Sequence, residues 1–367
     1  MKKSPAAGIC ALTLERRGAR SRLIDIGCSR MRPAGFGCNV GDVFRLSEDL
    51  IMFGPIGRAG TFVVDRRKFL AGAAGFIAAG LLPKPVLALA GPYAFKQGAF
   101  DITVVSDGQL ILPWSIVAPD APPEELKKLL ASAISGDTVA VETNATLIKA
   151  GGDLILFDTG SGQGFQPTAG KLLESLKMAG VEAGAVTKVV FTHAHPDHIW
   201  GTVAEDGKLI FANASYHVSE GEWNFWMDKE LVNKMPKEMH PFVLGAQKHL
   251  TGVKDRISMF KPGGEVVAGI GVIDMAGHTP GHAAFEVAGG EGLILAADSI
   301  ASPFVGFPHP DWRFGFDGIP DLAIANRKKL LDRAATDKIK LLGFHWPYPG
   351  VGFAERKDVA YQFVAAM

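Results

Sequence analysis

The sequence predicts a layered α/β protein whose helices cover the outer faces of the sheets. Apolar segments of strand length alternate with segments of helical spacing from residue 98 onward, in two comparable halves. Strands and helices that alternate in this way pack as layers around a common core. Because neither a short repeat nor a linker follows residue 91, we expect residues 91–367 to form one domain.

The first half of this domain is predicted from its apolar periodicity and its turn residues. Strands are expected at residues 100–106, 146–149, 154–157 and 188–191, and helices at residues 124–132 and 168–179. Asp107 and Gly108 are expected to end the first strand in a turn, before a Pro-rich loop at 113–123. The sequence Gly-Gly-Asp at 151–153 suits a hairpin turn, and Thr168 suits a helix N-cap.

The second half repeats the alternation. Strands are expected at residues 209–211, 216–218, 266–275, 283–287, 293–296 and 339–344, and helices at residues 220–227, 242–250 and 321–335. The strand at 339–344 is the last strong one. Polar residues follow several of these strands directly, which is where α/β proteins usually place their active sites.

Composition excludes several classes of protein. The chain has 367 residues, 47% of them hydrophobic, which is enough for a sizeable core. Its formal net charge is zero and no Lys/Arg-rich tract dominates, so we expect no nucleic-acid partner. The three cysteines, Cys10, Cys28 and Cys38, all precede residue 39, so the main body can contain neither a disulfide framework nor a cysteine metal site.

The N-terminal ninety residues are expected to lie outside the folded domain. Residues 1–51 have mixed charge and no sustained period, which is typical of neither helices nor strands. Residues 52–90 resemble a twin-arginine export signal, with Arg66-Arg67, an uncharged segment at 69–82 and Ala88-Leu89-Ala90 as an A-x-A cleavage pattern.

The uncharged segment at 69–82 is shorter than the ~20 residues needed to span a bilayer, so we expect cleavage after Ala90 and no stable membrane anchor. Because signal peptides normally begin a chain, we expect Met52 to be the true start and residues 1–51 to be a mis-assigned or disordered extension. The expected location is the periplasm or the medium. Peptides from residues 1–51 in mature protein would contradict this assignment.

The densest chemical motif is the sequence HAHPDH at residues 193–198, directly after the apolar strand at 188–191. Its first two histidines are two residues apart, so at the end of a strand they project the same way. The proline turns the backbone, and the Asp and His that follow face another direction. Two ligand pairs facing different directions suit two adjacent metal ions better than a polar surface loop, since the whole chain has only ten histidines.

Three further candidate ligands also stand where strands end. His278 lies in the sequence GHTPGH, Asp298 follows the apolar run at 293–297, and His345 follows the strand at 339–344. A single histidine of this kind is more often structural. All three in order after the motif at 193–198 indicate one metal site.

With these residues, the chain resembles the metallo-β-lactamase-fold hydrolases. The resemblance rests on HxHxDH at 193–198, on His278, Asp298 and His345, and on the sequence Asp-Thr-Gly at 158–160. It extends from about residue 98 to the C-terminus. It implies an α/β fold of the αββα four-layer sandwich type, with the site at one edge of the two sheets.

The resemblance also implies a role for each residue. One metal ion would be bound by His193, His195 and His278, the other by Asp197, His198 and His345, and Asp298 would bridge them. This ligand set suits Zn²⁺ and tolerates Mn²⁺, Fe or Co²⁺. Two such ions can share one hydroxide as the nucleophile. Asp197 either serves only as a ligand or also shuttles a proton, and Asp158 and His282 either orient ligands or only form turns.

A narrower resemblance concerns the substrate. Residues 98–103, 142–144, 158–160 and 344–350 are similar to methyl parathion hydrolase and its relatives, in which aromatic residues line the pocket. The matching positions are Phe165, Trp226 and Phe242, although Trp226 could equally pack a helix against the sheet. An aromatic pocket suits a neutral ester, namely an organophosphate triester, an aryl ester or a lactone.

Two differences from related families narrow the class of hydrolase further. The commonest zinc β-lactamases use a cysteine in the second metal position, which this body lacks, and quorum-quenching lactonases carry a tyrosine where Ala301 stands. Lactonase or β-lactamase activity at the same site remains an alternative. A non-hydrolytic diiron module is a second one, although it normally has a flavin domain. The aromatic residues could also support a homodimer.

Overall fold

The computed structural model describes residues 50–53, 62–65 and 89–366. The export signal predicted at 52–90 and the extension at 1–51 lie almost wholly outside the described residues. The described parts of that region are β1 (Leu50–Phe53) and β2 (Phe62–Asp65), which pair antiparallel. The first two residues of β1 lie in the predicted extension, where the sequence pattern indicated neither helix nor strand. The assignment of residues 1–51 and 52–90 stays a prediction.

The first sheet contains eight strands. They are β3 (Tyr93–Gln97), β4 (Phe100–Pro113), β5 (Ile134–Ser135), β6 (Thr138–Ala150), β7 (Asp153–Phe157), β8 (Lys188–Val190), β9 (Ser215–Ser219) and β10 (Ile257–Phe260). Their order is β10-β9-β8-β7-β6-β4-β3, with β5 paired to β6. The strands from β7 to β10 run parallel, so β8 ends at the edge that carries the HAHPDH motif.

The second sheet contains seven strands in sequential order. They are β11 (Glu265–Val267), β12 (Ile270–Asp274), β13 (Ala283–Val287), β14 (Leu293–Ala297), β15 (Lys340–Gly343), β16 (Val351–Lys357) and β17 (Ala360–Ala365). Only β14 and β15 pair in parallel, which brings their C-terminal ends, and the polar residues after them, to one edge.

Eight α-helices surround the sheets in the described part of the chain. They are α1 (Pro123–Leu129), α2 (Leu172–Met178), α3 (Pro196–Ile199), α4 (Glu220–Trp226), α5 (Leu231–Lys234), α6 (His240–Val253), α7 (Pro303–Gly306) and α8 (Pro320–Asp337). Five of them have Pro in the first two helical positions, where the missing N–H would have had no partner within the helix. None of the described helices is long and apolar enough to cross a membrane.

The layers follow from the alternation of side chains along each strand. In β14, Leu293 and Leu295 face the first sheet, whereas Ile294 contacts the cluster formed with α8. In β7, Ile155 faces the second sheet and Leu156 packs towards α2, α4 and α6. The order is therefore helices, sheet, sheet, helices, which confirms the predicted αββα four-layer sandwich.

Several predicted boundaries are wrong for local reasons. Asp107 and Gly108 do not end a strand, because β4 continues past them through a bulge to Pro113. Thr168 does not cap α2, since that helix begins at Leu172 and the Thr168 carbonyl accepts a hydrogen bond from the backbone N–H of Gln109.

Other strand predictions are wrong because an apolar segment is too short to form a strand or runs on across a turn. The strand predicted at 209–211 is only an isolated bridge between Val203 and Leu209. The strand predicted at 266–275 is two strands, because Gly269 turns the chain with φ = +81°. The strands β3, β10, β16 and β17 were not predicted; β3, β10 and β17 lie at the edges of the two sheets.

A buried carboxylate joins β4 to the loop before α2. The Asp107 oxygens accept hydrogen bonds from the backbone N–H groups of Ser161 (2.7 Å), Gly170 (3.2 Å) and Leu172 (2.8 Å). Because an amide has one acceptor oxygen, Asp107→Asn leaves at least one of these donors unpaired. We expect the free energy of unfolding in urea to fall by ~2–3 kcal/mol, whereas Asp311→Asn at an exposed position should leave it unchanged.

Candidate metal centre

The candidate ligands lie in four loops that follow strands at one edge of the sandwich. The loop after β8 carries His193 and His195 and leads into α3. The connection between β12 and β13 carries His278, Asp298 follows β14 directly, and His345 follows β15 after one residue. The fold thus brings together residues separated by some 150 positions in the sequence.

One group of donor atoms is formed by three imidazoles. The Nε2 atom of His193 lies 3.0 Å from Nδ1 of His195, and Nε2 of His278 lies 2.9 Å from the same Nδ1 atom. All three side chains are buried. Their nitrogens lie within 4.8 Å of one another, so this group could hold a metal ion.

A second group lies beside the first. The Oδ2 atom of Asp197 lies 3.3 Å from Nε2 of His198 and 3.3 Å from Nε2 of His345. The donor atoms of these three residues also lie within 4.8 Å of one another.

Asp298 contacts both groups. Its Oδ2 atom lies 3.3 Å from Nε2 of His278 and 3.2 Å from Nε2 of His345, and its Oδ1 atom lies 3.2 Å from Nε2 of His198. The structure therefore brings together all seven residues that the sequence assigned to the metal site, with Asp298 between the two groups.

Outer partners fix which imidazole nitrogen faces the centre. Nδ1 of His198 lies 2.8 Å from a carboxylate oxygen of Asp158, and Nδ1 of His345 lies 2.8 Å from the carbonyl oxygen of Glu142. Since both oxygens accept, each Nδ1 must donate, so that in the neutral form of each ring the Nε2 lone pair faces the centre. The Asp158 carboxylate also accepts from the backbone and hydroxyl of Thr192, at 2.8 Å each.

Asp317 contacts the outer nitrogen of His278 in the same way. Its Oδ1 atom lies 3.3 Å from Nδ1 of His278, and its Oδ2 atom forms a buried ion pair with Arg327 at 2.9 Å. Arg327 also donates to the carbonyl of Ser299, the residue after Asp298. This chain of contacts connects α8 to both sides of the site.

His282 supports the site through its backbone contacts. Its Nδ1 atom lies 3.1 Å from the carbonyl of Met275, and its Nε2 atom accepts from the backbone N–H of Asp298 at 3.3 Å. Burial lowers the pKa of His282 to about 3, so the ring is neutral. With both nitrogens engaged, His282 orients Asp298.

The donor set suits cations. Asp197 Oδ2, His198 Nε2 and Asp298 Oδ1 are buried and make no hydrogen bond of acceptable geometry within the described residues. Lone pairs of imidazoles and carboxylates that converge in a buried space repel one another unless a proton or a cation lies between them. The residues present therefore fit metal ions of the N/O-binding class.

The charges in the site depend on one another. Burial alone would raise the pKa of Asp298, but the imidazoles of His345 and His198 outweigh it and hold that pKa well below its ordinary value. Burial alone would lower the pKa of His345, whereas the carboxylates of Asp298 and Asp197 raise it to about 10. The carboxylates are thus anionic and require positive charge, which either protons on histidine or metal ions can supply.

A narrow cavity of about 20 Å³ opens onto the donor atoms. Besides ligands and Pro196, its lining is apolar: Leu110, Leu112, Val117, Val141, Phe242, Ala301, Phe314 and Phe316. Of the predicted pocket residues, Phe242 lines this cavity. Phe165 packs between Phe242 and Trp200, with ring centroids 6.1 and 5.3 Å away. Trp226 is 1% exposed and packs against His195, with ring centroids 5.9 Å apart.

Sequence reasoning missed the residues that support the ligands from outside, chiefly Glu222, Asp317 and Arg327, and two of the cavity aromatics, Phe314 and Phe316. The cavity aromatics follow a Trp-Arg pair in a loop without periodicity, so no pattern marked them. Asp317 and Arg327 are charged residues that read as solvent-facing until their burial is seen.

A four-layer αββα sandwich with two groups of His and Asp donors at one edge defines a metallo-hydrolase. The chain belongs to the metallo-beta-lactamase superfamily, whose family model matches residues 138–343.

Comparison with solved structures agrees with this assignment. The chain is 31% identical to AidC, a dizinc quorum-quenching lactonase solved with the product N-hexanoyl-L-homoserine; the match covers 76% of this chain and 98% of AidC, with a TM-score of 0.71. It is 30% identical to the hydrolase AbOPH of the beta lactamase superfamily, over 77% of this chain and 99% of AbOPH, again with a TM-score of 0.71.

A more distant structure shares the fold. A probable metal-dependent hydrolase from Staphylococcus aureus is 18% identical over 74% of this chain and 100% of that chain, with a TM-score of 0.61. No curated protein matches the sequence.

Proposed function

We propose that the protein is a dinuclear metal-dependent hydrolase of neutral esters, with lactones first among them. The observation that carries the proposal is that the two donor groups open onto a cavity whose remaining lining is almost wholly apolar. The similarity to a dizinc lactonase over nearly its full length supports the choice of lactones. Aryl esters and organophosphate triesters, as in the methyl parathion hydrolase-like branch, form the second candidate class.

In this proposal each residue of the site has a role. His193, His195 and His278 hold one cation, Asp197, His198 and His345 hold the other, and Asp298 contacts both. When bound, two divalent cations, Zn²⁺ first, supply an activated water at neutral pH and polarise the carbonyl or phosphoryl oxygen of the substrate.

The remaining steps belong to the protein. The apolar walls exclude bulk water and bind the apolar part of the ester. Asp197 and Asp298 both line the cavity, so either carboxylate could accept a proton released there. Asp158, Asp317 and His282 hold the ligands in orientation through the contacts described above.

The cavity also argues against charged substrates. Among the described residues that line it, none is Lys or Arg. Apart from the proposed metal ions, a phosphorylated metabolite would find no Lys or Arg side chain among these residues to bind its charged group. A neutral ester needs no such partner.

A small panel of substrates tests the proposal. We expect turnover of an acyl-homoserine lactone, and weaker turnover of p-nitrophenyl acetate and a paraoxon-type triester, each abolished by a chelator. Turnover of a cephalosporin without any ester turnover would contradict the proposed substrate class. A purified protein rich in iron, absorbing visible light and inert to every ester would favour the diiron alternative.

Ala301 allows the two ester classes to be separated. It lines the cavity at the position where quorum-quenching lactonases of this fold carry a tyrosine. We expect Ala301→Tyr to raise the ratio of lactone to triester kcat/KM ~10-fold, because the added ring reduces room for a bulky triester and the hydroxyl can donate to a lactone. Ala301→Phe adds the same bulk without the hydroxyl. Equal ratios for the two variants would show that only volume matters.

A further inference from the structure

A fully buried glutamate lies behind the metal centre and is not one of its ligands. Glu222, in α4, is 0% exposed. Its Oε2 atom accepts from the backbone N–H of Ala194 at 3.1 Å and from the indole N–H of Trp226 at 2.5 Å. Its Oε1 atom accepts from the hydroxyl of Thr279 and from the backbone N–H of Gly281 at 3.0 Å. All four contacts are donors, so each oxygen of the carboxylate is engaged twice.

These donors belong to the two loops that carry one group of ligands. Ala194 stands between His193 and His195. Thr279 directly follows His278, and Gly281 lies two residues further on. One carboxylate thus connects the loop after β8 to the loop between β12 and β13 through their backbone and Thr279, whereas Asp298 contacts the two loops only at the ligand rings of His193 and His278.

The backbone around Glu222 is built for close approach to the second loop. The Ser219 hydroxyl donates to the carbonyl of Gly281 at 2.6 Å and accepts from the backbone N–H of Glu222 at 3.0 Å. A Cβ atom at Gly281 would lie 2.1 Å from the backbone nitrogen of Glu222, and one at Gly221 would lie 2.9 Å from the Cα atom of Gly281. Only glycine at both positions permits this approach.

Through its hydrogen bond to Trp226, Glu222 also restrains the ligand His195 from a second side. The indole that Glu222 holds packs edge-on against the imidazole of His195, with centroids 5.9 Å apart. Glu222 therefore restrains His195 both through the backbone of Ala194 and through the wall behind its ring.

The other group of ligands is held differently. His198 is oriented by Asp158 and His345 by the carbonyl of Glu142, and neither of these partners contacts Glu222. Loss of Glu222 should therefore act on one group and spare the other.

We propose that Glu222 is a positioning residue that sets the geometry of one of the two metal positions, the one formed by His193, His195 and His278. This inference rests on the proposed dinuclear function. Glu222→Gln keeps the shape of the side chain but turns an amide NH₂ group towards two of the four donors, so that one loop loses its attachment.

The test is a titration of the metal-free protein with Co²⁺, followed by its visible spectrum and by equilibrium dialysis. Wild type should bind two equivalents. Glu222→Gln should bind one of them ~10–100-fold more weakly and the other with unchanged affinity. The matched control is Asp107→Asn, which also removes a buried anionic acceptor of backbone N–H groups but touches neither histidine loop.

The outcomes are distinct. The inference is overturned if Glu222→Gln binds both equivalents of Co²⁺ with wild-type affinity, or if it binds both equally more weakly. It is also overturned if Asp107→Asn shows the same selective loss of one equivalent. Should Glu222→Gln fail to fold, Thr279→Val removes only one of the four donors to Glu222. The affinity for the same equivalent of Co²⁺ should then fall several-fold, and an unchanged affinity overturns the inference here too. A wild type that binds two equivalents but cleaves no ester would instead contradict the proposed function.

Discussion

Replacement of Asp298 by Ala is expected to abolish ester hydrolysis and to release metal from the site. Asp298 is the described carboxylate that contacts ligands of both groups, through His278 at 3.3 Å and through His198 and His345 at 3.2 Å. Without it, two cations would lie side by side with one fewer negative charge between them. We expect kcat/KM to fall by at least ~10³-fold, since the loss combines weaker metal binding with a misplaced nucleophile.

Metal content and kinetics should be measured on the same preparation. Asp298→Asn retains the shape of the side chain but loses its charge. The hydrogen bond to the ring of His282 is unaffected, because it is donated by the backbone N–H of residue 298. We expect it to lose almost as much activity as Asp298→Ala. Asp311→Ala, an exposed carboxylate, is the matched control and should retain both metal and activity. Undiminished turnover by Asp298→Ala would exclude the dinuclear mechanism.

The ligands themselves could be predicted from sequence because each follows an apolar strand. The strand gives the direction of the chain, and parallel neighbours deliver their ends to one edge, so His193, Asp298 and His345 could be assigned to one site before any distance was known. The alternation of strands and helices predicted a layered sandwich with helices outside, and the αββα order was implied by the family resemblance. The structure agrees with that order, since β14 is buried on both faces.

The supporting residues could not be predicted for a different physical reason. A charged side chain in a helix, such as Glu222 or Arg327, is usually solvated, and only the packing of a distant loop against it reveals a buried role. Trp226 illustrates the opposite case. Its aromatic ring suggested a pocket wall, but the hydrogen bond to Glu222 turns it behind His195. These contacts cannot be predicted from the local sequence, because they form only when distant loops pack together.

Removal of metal by a chelator is expected to abolish hydrolysis and to lower the melting temperature. The metal-free site must keep the carboxylates of Asp197 and Asp298 buried, and only protons on imidazoles such as His345 then balance their charge. Metal that binds the folded chain alone stabilises it by RT ln(1 + [L]/Kd), about 4 kcal/mol at a free concentration of 1,000 times Kd. For a domain of this size we expect a loss of roughly 10 °C.

Calorimetry with and without chelator measures the shift, and added Zn²⁺ should restore both activity and melting temperature. Asp298→Ala separates specific from general effects, because a variant that holds little metal has little stabilisation to lose. Its melting temperature should therefore change far less on chelation than that of wild type. An equal shift in both proteins would place the stabilising metal outside this site, whereas the loss of the shift in the variant would tie stability and hydrolysis to the same pair of cations.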